Sequence, residues 1–343
     1  MRRQLTIYIT YILFLSISII THSCQSDSVP KKNTGPGVSL DNRRSIFMLD
    51  LIRAEEMFAT GKIQKALRLI DELMSKKPQW ADPYLLKGNI YTAVGQHKQA
   101  REAYEKLVKI DPGYLSVWFK LGNNAYREKQ YREAINFYNK ELAGEYSYSL
   151  QSKDKQITML QIGRCYMHLG KVDSALITYS KCMTIDNTYS EVIGDIARLH
   201  IDNGNYITAL DFAKKAVALD ENNIDYQYSL GTVYLKINRY RQAVAYLQAV
   251  VNRRPLYEGA YYNLGQALIR SGNSNVGSQY ISKADSIQTL YSSLENIKLA
   301  VDKNPNNQRE WLALAKAYES TGMKTEADQA RLAAQFISTF KNK

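Results

Sequence analysis

Polar and aromatic side chains recur at one fixed interval along this chain, and their chemistry suits the recognition of a peptide. Residues of the same or a related type lie 34 positions apart in four pairs: Asn89 and Asn123, Arg164 and Arg198, Tyr228 and Tyr262, and Lys236 and Arg270. Amide and guanidinium groups donate hydrogen bonds to carbonyl and carboxylate oxygens, and exposed rings offer apolar contacts. The pattern favours a surface that holds an extended peptide.

The same 34-residue interval separates glycines and prolines, which constrain the backbone. The interval is therefore expected to reflect a repeated structural unit. Gly88 and Gly122 lie 34 positions apart, as do Pro78 and Pro112. A period of this length is typical of stacked helical hairpins that cover one another's apolar faces. Repeat units are predicted to begin near Phe47, Ala81, Leu115, Gln156, Ser190, Ile224, Glu258 and Gln308.

Each unit carries the apolar stripe of a helix. A bulky residue often stands fourth, Leu or Ile seventh, Gly or Ala eighth and Tyr eleventh, which is one face of a 3.6-residue period. Small residues recur at the eighth and twentieth places, as in Gly88 with Ala100 and Gly122 with Ala134. These places are expected to mark the closest approach of the two helices of a hairpin, where a larger side chain would overpack the contact.

These features resemble the tetratricopeptide repeat family from about Phe47 to Phe340. The resemblance implies an all-α fold, a right-handed superhelical solenoid of about eight helical hairpins. It also implies a concave groove, lined by the stripe that points away from the core at the fifth, ninth and thirteenth places. The groove residues are expected to be Asn89, Phe119, Asn123, Arg127, Arg164, His168, Arg198, Tyr228, Lys236, Tyr262, Gln266 and Arg270.

The groove chemistry predicts an acidic or C-terminal peptide segment as its ligand, because arginine can engage a carboxylate with two hydrogen bonds. Charge reversal at Arg164 and Arg198 is expected to spare folding, since the ninth place faces away from the core stripe. The alternative is an ordinary solvated concave face that holds no ligand. The residues with which family members clamp the acidic C-terminus of cytosolic chaperones do not recur: Leu85 and Phe119 stand where a lysine is required.

The chain start predicts export and lipid attachment. Arg2 and Arg3 precede an apolar run from residue 5 to residue 20, the form of a secretory signal peptide. Cys24 follows the small residue Ser23, which resembles a bacterial lipoprotein box with Cys24 as the lipidated first residue. We expect a signal peptide at 1–23, a flexible tether at 24–45 and a solenoid at 46–340. An uncleaved signal anchor is the alternative.

The net charge indicates which classes of partner are expected. The formal charge is +12, and loss of Arg2 and Arg3 with the signal peptide leaves +10. Such a balance favours acidic proteins or anionic surfaces, and it also fits a surface that only aids solubility. Nucleic acid is the least expected partner of an exported protein.

Catalytic and metal constellations are not found in the sequence. No histidine has a second ligand at metal-site spacing, and the strings of phosphate-binding loops, dinucleotide sites and hydrolases are missing. Cys165 and Cys182 are expected to be small buried apolar residues, with a disulfide as the alternative. We therefore predict a protein that is not an enzyme and that needs no cofactor or metal.

Two insertions interrupt the array. The first, at residues 144–149, lengthens a connection that can carry a partner-specific contact. The second, Ser292 to Pro305, is predicted to form an extra or degenerate helix.

The leading functional hypothesis is a lipid-anchored scaffold of a bacterial envelope, expected at the outer membrane, that assembles or stabilises a multiprotein complex. The alternative is a cell-surface receptor that captures peptide or glycan ligands in its groove.

Overall fold

The computed structural model describes the backbone of residues 40–143 and 151–341. Within these ranges the chain forms sixteen helices and no strand. The helices are α1 (Leu40–Ala59), α2 (Ile63–Lys76), α3 (Ala81–Ala93), α4 (His97–Ile110), α5 (Val117–Arg127), α6 (Tyr131–Ala143), α7 (Ser152–His168), α8 (Val172–Met183), α9 (Ser190–Asp202), α10 (Tyr206–Leu219), α11 (Ile224–Lys236), α12 (Tyr240–Arg253), α13 (Glu258–Arg270), α14 (Ser274–Lys303), α15 (Gln308–Ser320) and α16 (Lys324–Lys341).

Successive helices pair as hairpins, so the predicted all-α repeat fold is confirmed. The hairpin turns share one backbone device, a left-handed residue at the fifteenth place of the unit. Glycine occupies that place in six turns, whereas Lys129 and Asn238 adopt the same conformation with φ of 60° and 62°. Glycine reaches this region without steric cost, which explains why it dominates there.

The predicted signal peptide, Cys24, the tether up to residue 39 and the insertion at 144–149 lie outside the described residues. The first helix begins at Leu40, six residues before the start predicted for the solenoid.

The chain divides into two compact units after Leu86, inside α3. In the first unit, α1 packs on α2, and Leu51 and Ala54 of α1 are buried. Lys77, just after α2, places its ammonium 4.2 Å from the ring centre of Phe47.

The second unit, from Lys87 onward, contains the helices that carry the predicted groove residues. Three of its eighth-place glycines lie against rings that the sequence pattern did not identify. A Cβ at Gly88, Gly122 or Gly163 would overlap the ring of the tyrosine at the twenty-fourth place of the same repeat, as with Gly122 and Tyr138. In these three repeats, the absence of a side chain on the glycine leaves room for the tyrosine ring. In α13 and α14 the expected contact does occur, since Gly265 lies against the backbone of Gly277.

The second insertion is helical, but it does not form a helix of its own. Residues 274 to 303 form one continuous helix of 30 residues, α14. Its last turns pack on α15, where Leu294 and Val301 join the same buried cluster as Leu314. The prediction of a separate helix was wrong because no glycine or proline stands between Ser278 and Asn304 to end α14.

The first and last hairpins of the second unit touch. The rings of Tyr91 in α3 and Phe336 in α16 lie 6.4 Å apart, edge to face at 85°. A Cβ on Gly95 would lie 3.2 Å from the ring of Trp311.

Candidate functional site

A cavity of about 430 Å³ lies among α5, α7 and α9 of the second unit. We call it the arginine pocket, and its lining residues are Tyr126, Arg164, Met167, His168, Arg198 and Asp202. Three of them, Arg164, His168 and Arg198, are among the groove residues predicted from the sequence. The helical repeat brings them together because Arg164 and Arg198 occupy the same place in successive hairpins.

A buried carboxylate connects the two arginines. Asp195, with a side chain only 8% exposed, accepts from Arg164 Nε at 2.7 Å and from Arg198 Nη2 at 2.9 Å. The Tyr179 hydroxyl donates to the same carboxylate at 3.4 Å. Burial alone would lower the pKa of Arg164, but the neighbouring Asp195 outweighs it and the pKa is raised. Asp195 thus holds both guanidinium groups in place before any ligand arrives.

The arginines keep hydrogen-bonding capacity for a ligand. Each guanidinium carries five N–H donors, and the contacts to Asp195 engage one nitrogen of each. Their side chains are 30% and 53% exposed. The pocket therefore offers N–H donors to an oxygen-bearing group.

Asp202 gives the pocket an acceptor beside these donors. It lies one helical turn beyond Arg198 on α9. Burial raises the pKa of Asp202, and Arg198 partly opposes that rise. In formal charge, the two aspartates balance the two arginines. The pocket therefore presents N–H donors and carboxylate acceptors side by side, without a formal excess of positive charge.

His168 is held by two tyrosines. Its ring stacks on Tyr131 with ring centres 4.5 Å apart and planes 5° from parallel, and its Nε2 lies 2.9 Å from the Tyr126 hydroxyl. Burial, and then the charge of Arg198, lowers the pKa of His168 from its ordinary value of 6.5. At neutral pH the His168 side chain is therefore uncharged, and it lines the pocket as a hydrogen-bonding group.

The two predicted groove asparagines are fixed from within their own hairpins. Tyr104 donates to Asn89 Oδ1 at 2.9 Å, and Tyr138 donates to Asn123 Oδ1 at 2.7 Å. Burial raises the pKa of Tyr104 to about 12, so its hydroxyl stays protonated and donating. The bonds occupy the amide oxygens and leave the Nδ2 groups as the donors that the asparagines can offer.

The predicted groove rings are only partly available. Phe119 packs on Tyr138 at 5.6 Å between ring centres, and Tyr228 packs on Tyr257 at 4.5 Å. Both Phe119 and Tyr228 are half-buried as a result. Tyr262 is 45% exposed, and its hydroxyl accepts a hydrogen bond from Gln266 at 3.3 Å.

The remaining predicted cations lie outside the arginine pocket. Arg127, Lys236 and Arg270 are exposed at the last turns of α5, α11 and α13. Some of the predicted groove residues thus line the arginine pocket, and the others lie at separate positions on the surface.

Sequence reasoning missed Asp195, Tyr126 and Met167 as partners of the arginines. The signal for Asp195 was its position, 31 residues after Arg164. The same interval joins Asn263 to Thr232, whose side chains are hydrogen-bonded at 3.0 Å. The sixth place of one repeat therefore contacts the ninth place of the repeat before it.

Asp195 also contradicts the expectation that charge reversal at Arg164 and Arg198 spares folding. Two glutamates there would surround a buried carboxylate with like charge. The ninth place does face away from the core, but the sixth place of the next repeat lies against it.

Cys165 and Cys182 are free and buried, so their interpretation as small apolar residues is confirmed. Burial raises the pKa of each thiol to about 12. Within 40–143 and 151–341, no three His, Cys, Asp or Glu side chains are grouped as a metal ligand set. No helix in the same ranges is both long and apolar enough to span a bilayer.

Comparison with known proteins agrees with the fold. Models of the tetratricopeptide repeat match residues 88–129, 158–189, 200–269 and 258–289. The chain therefore contains tetratricopeptide repeats, and proteins built from them are generally non-catalytic scaffolds for protein–protein interaction. It is 22% identical over 231 residues to the TPR repeat-containing protein YpiA of Bacillus subtilis, a match that covers 63% of this chain and 50% of YpiA. The chain thus spans half the length of that relative.

Two solved structures share the fold at low sequence identity. The APC/C hetero-tetramer Cut9–Hcn1 aligns with a TM-score of 0.53 at 15% identity, over 82% of this chain and 49% of that one. PilW, described as a widely conserved type IV pilus biogenesis factor, aligns with a TM-score of 0.52 at 17% identity, over 63% of this chain and 96% of PilW.

Proposed function

We propose that this protein is a non-enzymatic scaffold lipoprotein of a bacterial envelope, and that its arginine pocket holds an acidic or C-terminal segment of a partner protein. The observation that carries the proposal is the Arg164–Asp195–Arg198 cluster. A surface arginine ordinarily loses side-chain freedom when it binds a ligand. Here Asp195 has already fixed both guanidinium groups, so less freedom remains to be lost on binding.

The ligand chemistry follows from the lining of the pocket. A carboxylate of the bound segment accepts N–H bonds from the arginines, and a backbone N–H or a cation of the same segment donates to Asp202. Met167 and Tyr126 supply apolar contact beside them. Because the pocket has little net charge, a segment bearing both kinds of group fits better than a uniformly acidic one.

Two observations support a role in an envelope complex: the sequence of the chain start, and the similarity of the fold to PilW. The signal peptide and Cys24 support attachment to a membrane of the envelope, and the lipoprotein pattern favours the outer membrane. PilW, a pilus biogenesis factor by its description, uses the same fold, which is compatible with assembly work.

Site-specific crosslinking tests the pocket as a partner site. A photoreactive residue at Met167 is expected to crosslink one envelope protein in living cells. The matched control is the same group at Ile177 of α8, which is 57% exposed and does not line the pocket. Arg198→Gln should abolish the adduct from Met167 without changing the amount of protein. An adduct from Met167 that persists in Arg198→Gln would contradict the proposal.

The lipid anchor is tested separately. Protein extracted from membranes is expected to begin at Cys24 and to carry the mass of its acyl chains, while Cys24→Ala should remain unprocessed or be released from the membrane. An intact mass that shows an unmodified Cys24 would overturn the anchor and leave the pocket proposal untouched.

A further inference from the structure

The contact between the first and last hairpins of the second unit is made by rings and a turn. The ring of Tyr91 in α3 meets the ring of Phe336 in α16 edge to face, with centres 6.4 Å apart. The turn at Gly95 lies against the ring of Trp311 in α15. The Trp311 indole Nε1 also donates to the carbonyl of Pro305 at 2.8 Å, so this ring is held in place by its own hairpin.

Charged groups lie beside these rings. Burial, and then the charge of Arg127 in α5, lower the pKa of His97 at the start of α4, whereas the charge of Asp302 opposes them. Asp302 stands in the last turn of α14, so its charge reaches His97 across the contact. We call the residues that meet here the terminal contact: Tyr91, Gly95, His97, Asp302, Trp311 and Phe336.

The terminal contact differs in kind from the contacts between successive hairpins. Helices α14 and α15, for example, share a buried cluster that includes Leu294, Val301 and Leu314. The terminal contact instead joins rings, a glycine and charged groups that are far apart in sequence. Because repeats depend mainly on their neighbours in sequence, this contact can open without unfolding either hairpin.

The arginine pocket is built from hairpins that lie between the two sides of the terminal contact. The Tyr126 hydroxyl of α5 lies 2.9 Å from His168 Nε2 of α7, and Arg164 of α7 donates to Asp195 of α9 at 2.7 Å. Each bond joins one hairpin to the next, so its length depends on the rotation between them. The rotation per repeat sets the curvature of an array, and a contact between the first and last hairpins fixes the sum of these rotations.

We propose that the terminal contact is a clasp: closed, it holds the hairpins of the second unit at the rotation that assembles the arginine pocket, and open, it loosens the pocket. The Tyr126–His168 and Arg164–Asp195 bonds are present together with the closed contact. A partner segment in the pocket therefore favours closure, since coupling between two sites is reciprocal. This inference rests on the pocket being the partner site of the proposed function, and it adds a means of regulating that site.

Gly95→Asn is the variant that should open the terminal contact. Asparagine accepts the left-handed conformation of Gly95, with φ of 72°, as Asn238 does at 62° in this chain. Its side chain would displace the ring of Trp311, which lies 3.2 Å from the position of the new Cβ. The matched control is Gly322→Asn, at φ of 74° in the last hairpin turn, where a Cβ meets no described atom within 4 Å. Phe336→Leu removes one ring of the aromatic pair and is a second opening variant.

Spin labels report the terminal contact directly in the full chain. They are attached to Gln99→Cys of α4 and Gln329→Cys of α16, both exposed sites. The protein carries Cys24→Ser, and the buried Cys165 and Cys182 do not react readily. Electron–electron double resonance then measures the distance between the first and last hairpins of the second unit.

Two further measurements report the arginine pocket. Burial and the charge of Arg198 lower the pKa of His168, so a loosened pocket should raise that pKa toward 6.5, which histidine NMR follows without any partner. Crosslinking from Met167 in cells, with Cys24 intact, reports capture of the partner segment.

The expected result is a longer label distance and a higher His168 pKa in Gly95→Asn and Phe336→Leu, with Gly322→Asn like the wild type. The Met167 adduct should also fall, by about fivefold or more if the coupling has the usual size. An unchanged distance in both opening variants would overturn the inference, because the contact would then be a fixed interface.

A longer distance with an unchanged His168 pKa would also overturn it, because the pocket would not depend on the terminal contact. The two proposals remain distinguishable. A wild-type protein that gives no adduct from Met167, but shows the expected changes in distance and pKa among the variants, contradicts only the proposed function.

Discussion

At the scale of single residues, the repeat pattern shows which face of a helix a residue lies on, but not which residue contacts it. The eighth and twentieth places were expected to mark the closest approach within a hairpin, but the tyrosine rings of the twenty-fourth place that contact Gly88, Gly122 and Gly163 were not identified. Tyr104 and Tyr138 then reach past these glycines to the ninth-place asparagines. A period read along one helix shows which residues share a face, but it does not show which residue of the next helix meets them.

Gly122→Ala tests this ring contact. The added Cβ overlaps the ring of Tyr138, so we expect a loss of about 1–3 kcal/mol in the free energy of unfolding through overpacking. Urea denaturation of Gly122→Ala, Tyr138→Ala and the double variant measures the coupling between the two positions. The cost of Gly122→Ala should vanish once Tyr138 is truncated. Additive losses would show that the ring is not what the glycine accommodates.

The two pocket arginines differ in what they stabilise. Arg164 is the more buried, so Arg164→Gln weakens the support of a buried carboxylate and should cost about 1–3 kcal/mol of stability. Arg198→Gln leaves Asp195 paired with Arg164 and should cost under about 1 kcal/mol. Thermal unfolding of the two variants beside Lys181→Gln, an exposed site on α8, checks the order. A larger loss for Arg198→Gln would show that Asp195 depends mainly on that arginine.

Histidine burial gives stability a pH dependence. Burial lowers the pKa values of His97, His168 and His200 below the ordinary 6.5. Below pH 6.5 the unfolded chain binds protons that the folded chain resists, so stability is full above that pH and declines as the pH falls further. Urea titrations at pH 7.5 and 5.5 should show the loss, and His97→Gln should reduce it. An equal loss in wild type and His97→Gln would exclude His97 as a contributor.

At the scale of elements, glycine marks the turn in six of the hairpins that lie within 40–143 and 151–341. Helix α14 has no such breaker near Ser292, where the side chains are compatible with a helix. Alignment to a 34-residue period required an interruption there, whereas the backbone continues the helix without one. Helix α14 therefore lengthens one hairpin arm and packs its last turns on α15.

Ser292→Pro tests the continuity of α14. Ser292 is exposed, so the change acts on the backbone, where proline removes a hydrogen bond and costs about 3 kcal/mol or more. Hydrogen exchange should quicken in the second half of α14, in α15 and α16, and near Tyr91 and Gly95, which touch those last helices. Little change is expected from α5 to α12, because repeats couple mainly to their neighbours. Ser292→Ala is the control and should leave exchange unchanged. Unaltered exchange in Ser292→Pro would mean that α14 already breaks near this residue.

At the scale of the whole molecule, the sequence predicted the class of fold and part of the candidate site. A 34-residue period is a property of the whole array, so it survives variation at single positions. The arginine pocket depends on contacts between repeats, and Asp195 gave no signal until the sixth and ninth places of adjacent repeats were known to touch. Three of the predicted groove residues meet in this pocket. Asn89 and Asn123 instead hold their own hairpins together, and Tyr228 contacts the next repeat, where Asn263 donates to its hydroxyl.

The arginine pocket is proposed to recognise a carboxylate on a partner segment. The most direct measurement is calorimetric titration of the segment crosslinked at Met167, made as a peptide with its carboxylates free and again with them converted to amides. Wild-type protein should bind the free form at least tenfold more tightly, and Arg198→Gln should bind the two forms nearly alike while remaining folded. Equal binding of both peptides by the wild type, or an unchanged preference in Arg198→Gln, would contradict the account.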